Sequence, residues 1–221
     1  MTVIKHKEQR VGIFIDAQNL YHSAKNLYHA RVNFGQVVKD ALAGRALIRA
    51  VAYVITTESG EERNFFEALT KMGIEAKTKD LQIFAGGSMK ADWDVGLAVD
   101  AIKMAPKLDT VILVTGDGDF VPLVEYLQMN EGCQVEVVSF GRSTSLKLKE
   151  ATDDFVDLDE NPRKYLLGHS NGGGNGSTST AGTSARGRGR RYGGRSSGAA
   201  RSHGTQAPAP LESADKKEAD L

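Results

Sequence analysis

Along the first 167 residues short apolar runs alternate with stretches of helical periodicity, the pattern of an α/β domain built on a mainly parallel sheet. Val11-Gly-Ile-Phe-Ile15 is compact and β-rich enough for a buried central strand. Ala46 to Ile55, Ile74 to Phe84, Val111 to Val114 and Val135 to Phe140 supply the other strand candidates, for a sheet of five or six strands. Between them, Glu61 to Met72 places Phe65, Leu69 and Met72 at i, i+4 and i+7. Asp94 to Met104 does the same with Val95, Val99 and Ile102, and Phe120 to Met129 sets Val124 and Leu127 beside Phe120. Such stripes are the core faces of helices. Asn19 to His29 and Phe34 to Leu42 predict two further helices after the first strand, and no internal repeat is present.

Composition then limits the classes. The chain has 221 residues, 40% of them apolar, which suits one core and not two. It holds no apolar run of about 18 residues and no basic start followed by an apolar stretch, so neither a membrane span nor a secretory signal is expected. A cytoplasmic location is the expectation. Cys133 is the only cysteine, which excludes an internal disulfide and a cysteine-based zinc cluster.

The formal charge is balanced, 28 basic against 28 acidic side chains, but unevenly spread. Residues 168–221 hold 12 of the 24 glycines and eight serines without apolar periodicity, so a disordered tail is expected there, beyond a domain spanning 1–167. That tail has 8 basic and 4 acidic residues, which leaves the domain with 20 basic and 24 acidic.

Open parallel sheets bind ligands at the carboxyl ends of their strands, so the residues just beyond each apolar run carry the candidate chemistry. Val11 to Ile15 runs into Asp16-Ala-Gln-Asn19, and Val111 to Val114 into Thr115-Gly-Asp117-Gly-Asp119. Asp94 opens a helix after the Gly86-Gly87 loop. If the first and fourth strands are neighbours, Asp16, Asp117 and Asp119 converge on one edge and repel one another, and a cation resolves the repulsion. Oxygen donors without histidine or thiol favour Mg²⁺ or Mn²⁺. Such a metal lowers the pKa of bound water and neutralises charge on a phosphodiester under attack. The plainer alternative is that each aspartate is a helix or turn cap. Asp16 fits that alternative least, because a carboxylate ending a buried strand needs a partner.

Phe14-Ile-Asp16-Ala-Gln-Asn19-Leu, Lys90-Ala-Asp-Trp-Asp94-Val-Gly-Leu-Ala-Val-Asp100 and Val114-Thr-Gly-Asp117-Gly-Asp119-Phe-Val-Pro-Leu resemble, in order and spacing, the NYN domain of LabA-like proteins within the PIN-like nuclease superfamily. The resemblance covers roughly residues 9–160. It implies a Rossmann-like, PIN-like three-layer sandwich, an acidic pocket for Mg²⁺ or Mn²⁺, and endoribonuclease activity leaving 5′-phosphate and 3′-hydroxyl ends. Carried over by position, Asp16, Asp94, Asp117 and Asp119 are the metal-binding and catalytic residues, Asn19 orients substrate or water, and Thr115 adds a hydroxyl. Asp100 lies six residues past Asp94, about 240° around a helix, and is read as supporting or structural. Ala91 stands where relatives often carry glycine.

Lys90, Arg142 and Ser143 are candidates for substrate phosphate on the same rim. In the tail, Arg186, Arg188, Arg190, Arg191, Tyr192 and Arg195 resemble an RGG-type RNA-binding segment, with guanidinium groups for phosphate and a ring for stacking. The leading expectation is therefore a metal-dependent endoribonuclease acting on single-stranded or structured RNA. The alternative is an RNA-binding regulatory protein whose acidic pocket is idle. A small-molecule phosphotransferase is disfavoured, since no glycine-rich phosphate loop follows a strand. Gly168-His-Ser-Asn-Gly172 matches a hydrolase pattern by letters alone. His22 and His29 form no zinc spacing with the other histidines and read as solvent or packing residues, and Trp93 as core. The oligomeric state stays open, with a homodimer among the options.

Overall fold

The structure, a computed structural model, describes residues 3–56, 63–80, 82–83, 89–90 and 92–167. The elements in chain order are β1 (Arg10–Asp16), α1 (Ala17–Tyr28), β2 (Arg31–Val32), α2 (Phe34–Leu42), β3 (Ala46–Thr56), α3 (Arg63–Lys71), β4 (Glu75–Asp80), β5 (Gln82–Ile83), β6 (Met89–Lys90) and α4 (Asp94–Met104). Then follow β7 (Thr110–Val114), α5 (Val121–Met129), β8 (Gln134–Ser139), α6 (Leu146–Ala151), β9 (Asp154–Asp157), α7 (Pro162–Tyr165) and β10 (Leu166–Leu167).

One six-stranded sheet runs in the order β4-β3-β1-β7-β8-β9, with every pairing parallel. Counted along the chain, these strands lie in the order 3-2-1-4-5-6, the doubly wound topology whose winding reverses between the first and fourth strands. β2 pairs with β10, and β5 with β6, as short antiparallel ribbons.

Strand alternation explains the three layers. In β1, Val11, Ile13 and Ile15 face one way and Phe14 the other; β3 sends Ala50, Ala52 and Val54 to the first side and Val51 and Tyr53 to the second. β7 divides likewise into Ile112 and Val114 against Val111 and Leu113. The first face is covered by Leu20 and Ala24 of α1, Val37 and Ala41 of α2 and Leu69 of α3. The second is covered by Leu97 and Ala101 of α4, Leu123, Val124 and Leu127 of α5 and Leu148 of α6. A strand buried on both faces reads as a continuous apolar run, which is why β1 and β7 stand out in the sequence. Gly12 belongs to the second face, where a Cβ would collide with Leu108.

Three expectations are corrected. The core face of α4 is Leu97 and Ala101, while Val95 and Val99 are exposed, because the sheet lies on the side opposite the valines. The strand expected over Ile74 to Phe84 is divided: Glu75–Asp80 is β4 of the main sheet, while Gln82–Ile83 is β5, which pairs with β6 instead. The sixth strand, β9, was not foreseen, since Asp-Phe-Val-Asp at a sheet edge is half polar. Residues 57–62, at the start of the helix expected from Glu61, and 168–221, the expected tail, lie outside the described residues. No described helix is long and apolar enough to cross a membrane.

Candidate active site at the carboxyl edge of the sheet

β1 and β7 flank the point where the winding reverses, so the helices that follow them leave in opposite directions and open a crevice. Their register sets Ile15 beside Val114, so Asp16 and Thr115 leave the sheet next to each other. On the other side of β1, Asp16 pairs with Tyr53 of β3.

Asp16 has two tasks. It is the N-cap of α1, its side chain accepting from the Asn19 amide N–H at 3.0 Å. Its Oδ2 accepts from the Thr115 hydroxyl at 3.3 Å. Thr115 is fully buried and its oxygen also accepts from the Asp117 N–H at 3.2 Å, while Asn19 Oδ1 accepts from the Gly116 N–H at 2.9 Å. Asn19 and Thr115 thus stitch the start of α1 to the loop after β7. Asp117 caps the next turn by accepting from the Asp119 N–H at 3.0 Å. Capping therefore occupies Asp16 and Asp117 without hiding them.

Asp94 arrives from the opposite side, as the first residue of α4. Two side chains, Trp93 and Asp100, pin that helix to the sheet. The Trp93 indole N–H donates to the Val54 carbonyl at 3.1 Å, with its ring 5.5 Å from that of Tyr53. Two turns on, Asp100 accepts from the Tyr53 hydroxyl at 2.7 Å and from Lys77 at 2.6 Å. Asp100 is thus a structural anchor, and Trp93 packs under the helix as expected from the sequence.

Asp16, Asp94 and Asp117 line one void of ≈220 Å³, together with Asp92. Gln18, Asn19 and His22 of α1 form one wall, and Tyr53, Ile55 and Trp93 another. Burial, and then the charges of Asp16, Asp117, Asp92 and Asp119, push the Asp94 carboxyl up to about 6. Burial also raises Asp16, partly countered by the Asn19 and Thr115 hydrogen bonds. Among the described residues no three acidic, histidine or cysteine side chains close into a finished metal cluster. The carboxylates line the void and do not meet at one point.

The remaining candidates fall elsewhere. Asp119 is exposed and does not line the void, although its charge reaches Asp94. Arg142 lies 4.8 Å over the Tyr28 ring and pairs with Asp159 at 3.4 Å, and the Ser143 hydroxyl is 2.9 Å from that of Ser23. Both tie the loop after β8 to α1, and neither lines the void. Lys90 belongs to β6, and its side chain lies outside the described residues, as does the whole arginine segment Arg186, Arg188, Arg190, Arg191, Tyr192 and Arg195. Sequence reasoning passed over Asp92, Gln18, His22 and Tyr53. Asp92 stood within the motif two residues before Asp94, and Gln18 and His22 share a helix face four residues apart; their place on the wall was readable once α1 was known to start at Ala17.

Residues 10–159 match the NYN domain, and the chain belongs to that family, in the PIN-like nuclease group. Among its relatives, the Low amplitude and bright protein LabA of Synechococcus elongatus is 26% identical over 163 residues, covering 70% of this chain and 86% of that protein. A crystal structure of a protein of unknown function from Vibrio parahaemolyticus superposes with a TM-score of 0.67 at 34% identity, over 75% of this chain and 100% of that one.

Proposed function

We propose that this protein is a metal-dependent endoribonuclease that hydrolyses RNA phosphodiester bonds at the void between β1, β7 and α4. The observation that carries the reading is that aspartates from three separate elements share this space, with Asp94 pushed up to about 6. A fold tolerates mutually repelling carboxylates when something else is to be bound there, and perturbed acids in a cleft mark functional sites.

The donor set fits Mg²⁺ or Mn²⁺. It consists of oxygens only, and it relieves its own repulsion by gaining a cation. Mg²⁺ keeps several of its waters, so carboxylates spread around the void would hold it partly through those waters. Asp16, Asp94 and Asp117 would hold the ion, with Asp119 and Asp92 adding negative charge at the margin. When bound, the metal supplies charge neutralisation at the phosphate and a more acidic water. The protein's own groups do the rest. Thr115 holds Asp16 and the Asp117 backbone in one arrangement. Asn19 commits its carbonyl oxygen to Gly116, which leaves its amide N–H groups for a substrate oxygen. The arginine-rich segment from Arg186 to Arg195 would add a salt-sensitive contact to RNA and offset the net negative charge of residues 1–167.

The test is incubation of the purified full chain with labelled single-stranded and structured RNA in Mn²⁺ or Mg²⁺, with and without EDTA. Internal cleavage is expected, abolished by EDTA and reduced more than about a hundredfold in Asp117→Asn, beyond the loss that removing a metal ligand's supporting partner causes. Asparagine keeps the oxygen that caps Asp119, so the fold is retained. Cleavage at full rate in a folded Asp117→Asn protein would end the proposal. RNA bound but left intact in Mn²⁺ is the outcome for an RNA-binding regulator with an idle pocket, the reading that the open cluster favours.

A further inference from the structure

One wall of the void continues outward as a surface that the acidic site does not explain. α1 buries Ala17, Leu20, Ser23 and Ala24 against the sheet, and turns Gln18, Tyr21, His22 and Lys25 the other way. These are spaced i, i+3, i+4 and i+7, one face of a helix. Gln18 and His22 line the void, so the face begins inside the site. From there the Tyr21 ring meets the His22 ring edge-on at 5.4 Å, and Lys25 Nζ lies 5.6 Å from the Tyr21 ring centre. Tyr21 is 40% exposed, and His22 and Lys25 are exposed as well. From Ala17 to Tyr28 the helix contains no aspartate or glutamate, although residues 1–167 as a whole are net acidic.

We infer that the ladder His22, Tyr21, Lys25 is the track on which an unpaired RNA strand lies as it enters or leaves the acidic void; the inference rests on the nuclease reading and specifies its substrate as single-stranded. The chemistry is complementary at each rung. The imidazole N–H can donate to a phosphate or base edge at the threshold, the phenol ring offers a stacking face, and the ammonium group meets a phosphate. Rings with interleaved cations and no acid are what a polyanion with π faces requires. The void itself, lined by carboxylates, repels that polyanion until a cation is bound, so attraction has to come from beside it. The seven helical rises from Gln18 to Lys25 span about 10 Å, the length of about three stacked nucleotides. Stacking on Tyr21 needs a base free of its partner, so duplex RNA gains nothing from this rung.

Affinity for a short single-stranded RNA and for the same sequence as a duplex is measured by fluorescence anisotropy in EDTA, using the full chain. Cleavage is thereby absent and does not enter the result, and residues 168–221 are present in every variant. Tyr21→Ala combined with Lys25→Ala is expected to weaken single-strand binding about tenfold, about 1.4 kcal/mol, and to change duplex binding far less, since a stacked base and a phosphate contact are lost. Tyr21→Phe with Lys25→Arg should restore most of the affinity, because ring and charge are kept. Tyr126→Ala, at an exposed tyrosine of α5, is the control and should bind as the parent does. Single-strand affinity within about twofold of the parent in the alanine pair, or an equal loss for both RNA forms, overturns the track. A track that survives while no RNA is ever cut would separate this inference from the nuclease reading, which then falls by itself.

Discussion

At the amino ends of the strands, Glu136 faces Arg45 and Lys5, Asp154 faces Lys5, and Asp109 faces Arg10. At the carboxyl ends Asp16, Asp92, Asp94 and Asp117 face one another around a void. The first set is compensated almost atom by atom. Arg45 and Glu136 are fully buried and joined at 2.5 and 2.9 Å, and the Arg45 guanidinium also donates to the carbonyls of Ala41 and Leu42. In the second set, no described ion pair reaches Asp16, Asp94 or Asp117. The acids respond in opposite directions. Arg10 pulls Asp109 down to about 2, whereas burial and like charges push Asp94 up to about 6. One end uses charge to hold the sheet together, and the other gathers like charges around a void with no described counter-charge.

Breaking the compensated end should have the largest consequence. Arg45→Met leaves Glu136 buried with only Lys5 at 3.1 Å as a counter-charge. Loss of one partner of a buried pair costs about 3–5 kcal/mol, read as a fall in the urea midpoint. Adding Glu136→Leu should recover most of that loss, because an apolar pair of similar size no longer carries an unpaired charge. If the single and double variants are equally unstable, the contribution is packing and the comparison between the two ends fails.

The uncompensated end predicts a gain. Because the folded-state pKa of Asp94 is raised, its charged form is disfavoured by folding; stability falls as pH rises from about 4 through about 6, and the penalty persists above that. Asp94→Asn should therefore stabilise the metal-free protein at pH 7.5 by about 1 kcal/mol, after discounting for the partial exposure of the site. The difference should shrink below pH 5, and in the parent protein added Mn²⁺ should shrink it too. A variant no more stable than its parent at pH 7.5 would show that the aspartates do not strain the fold.

The smallest effect belongs to Arg10→Gln. The Arg10–Asp109 pair sits in solvent, with the two side chains 49% and 40% exposed, so water screens it and its loss should shift the urea midpoint only slightly. The sign is opposite to that of Asp94. Asp109 contributes stability that is present above about pH 4 and lost as pH falls through about 2, so the variant should differ from its parent at neutral pH and converge with it in strong acid.

Much of this architecture was legible in the chain. Val11 to Ile15 and Val111 to Val114 are uninterrupted apolar runs because both strands are covered on two faces, and Asp16, directly after the first, and Asp117, three residues past the second, were conspicuous acids. Where burial is one-sided or the element is short, the signal weakened: β9 carries an acid at each end, and α6 has only six residues. Arg142 and Ser143 looked like rim residues from their place after a strand, yet they fasten the loop after β8 to α1.

What the sequence determined by itself is the set of local choices: which segments form strands, which face of α5 is greasy, and that carboxylates follow two buried strands. Tertiary structure alone decided who meets whom. Strand order brings Tyr53 beside Asp16, and the seating of α4 on Trp93 and Asp100 carries Asp94 and Asp92 across to the same void. The same seating turned Val95 and Val99 outward against their helical periodicity. The reason is that periodicity reports only which side of an element avoids water, whereas the neighbours of a strand in a parallel sheet are set by long crossovers and by packing between residues distant in the chain.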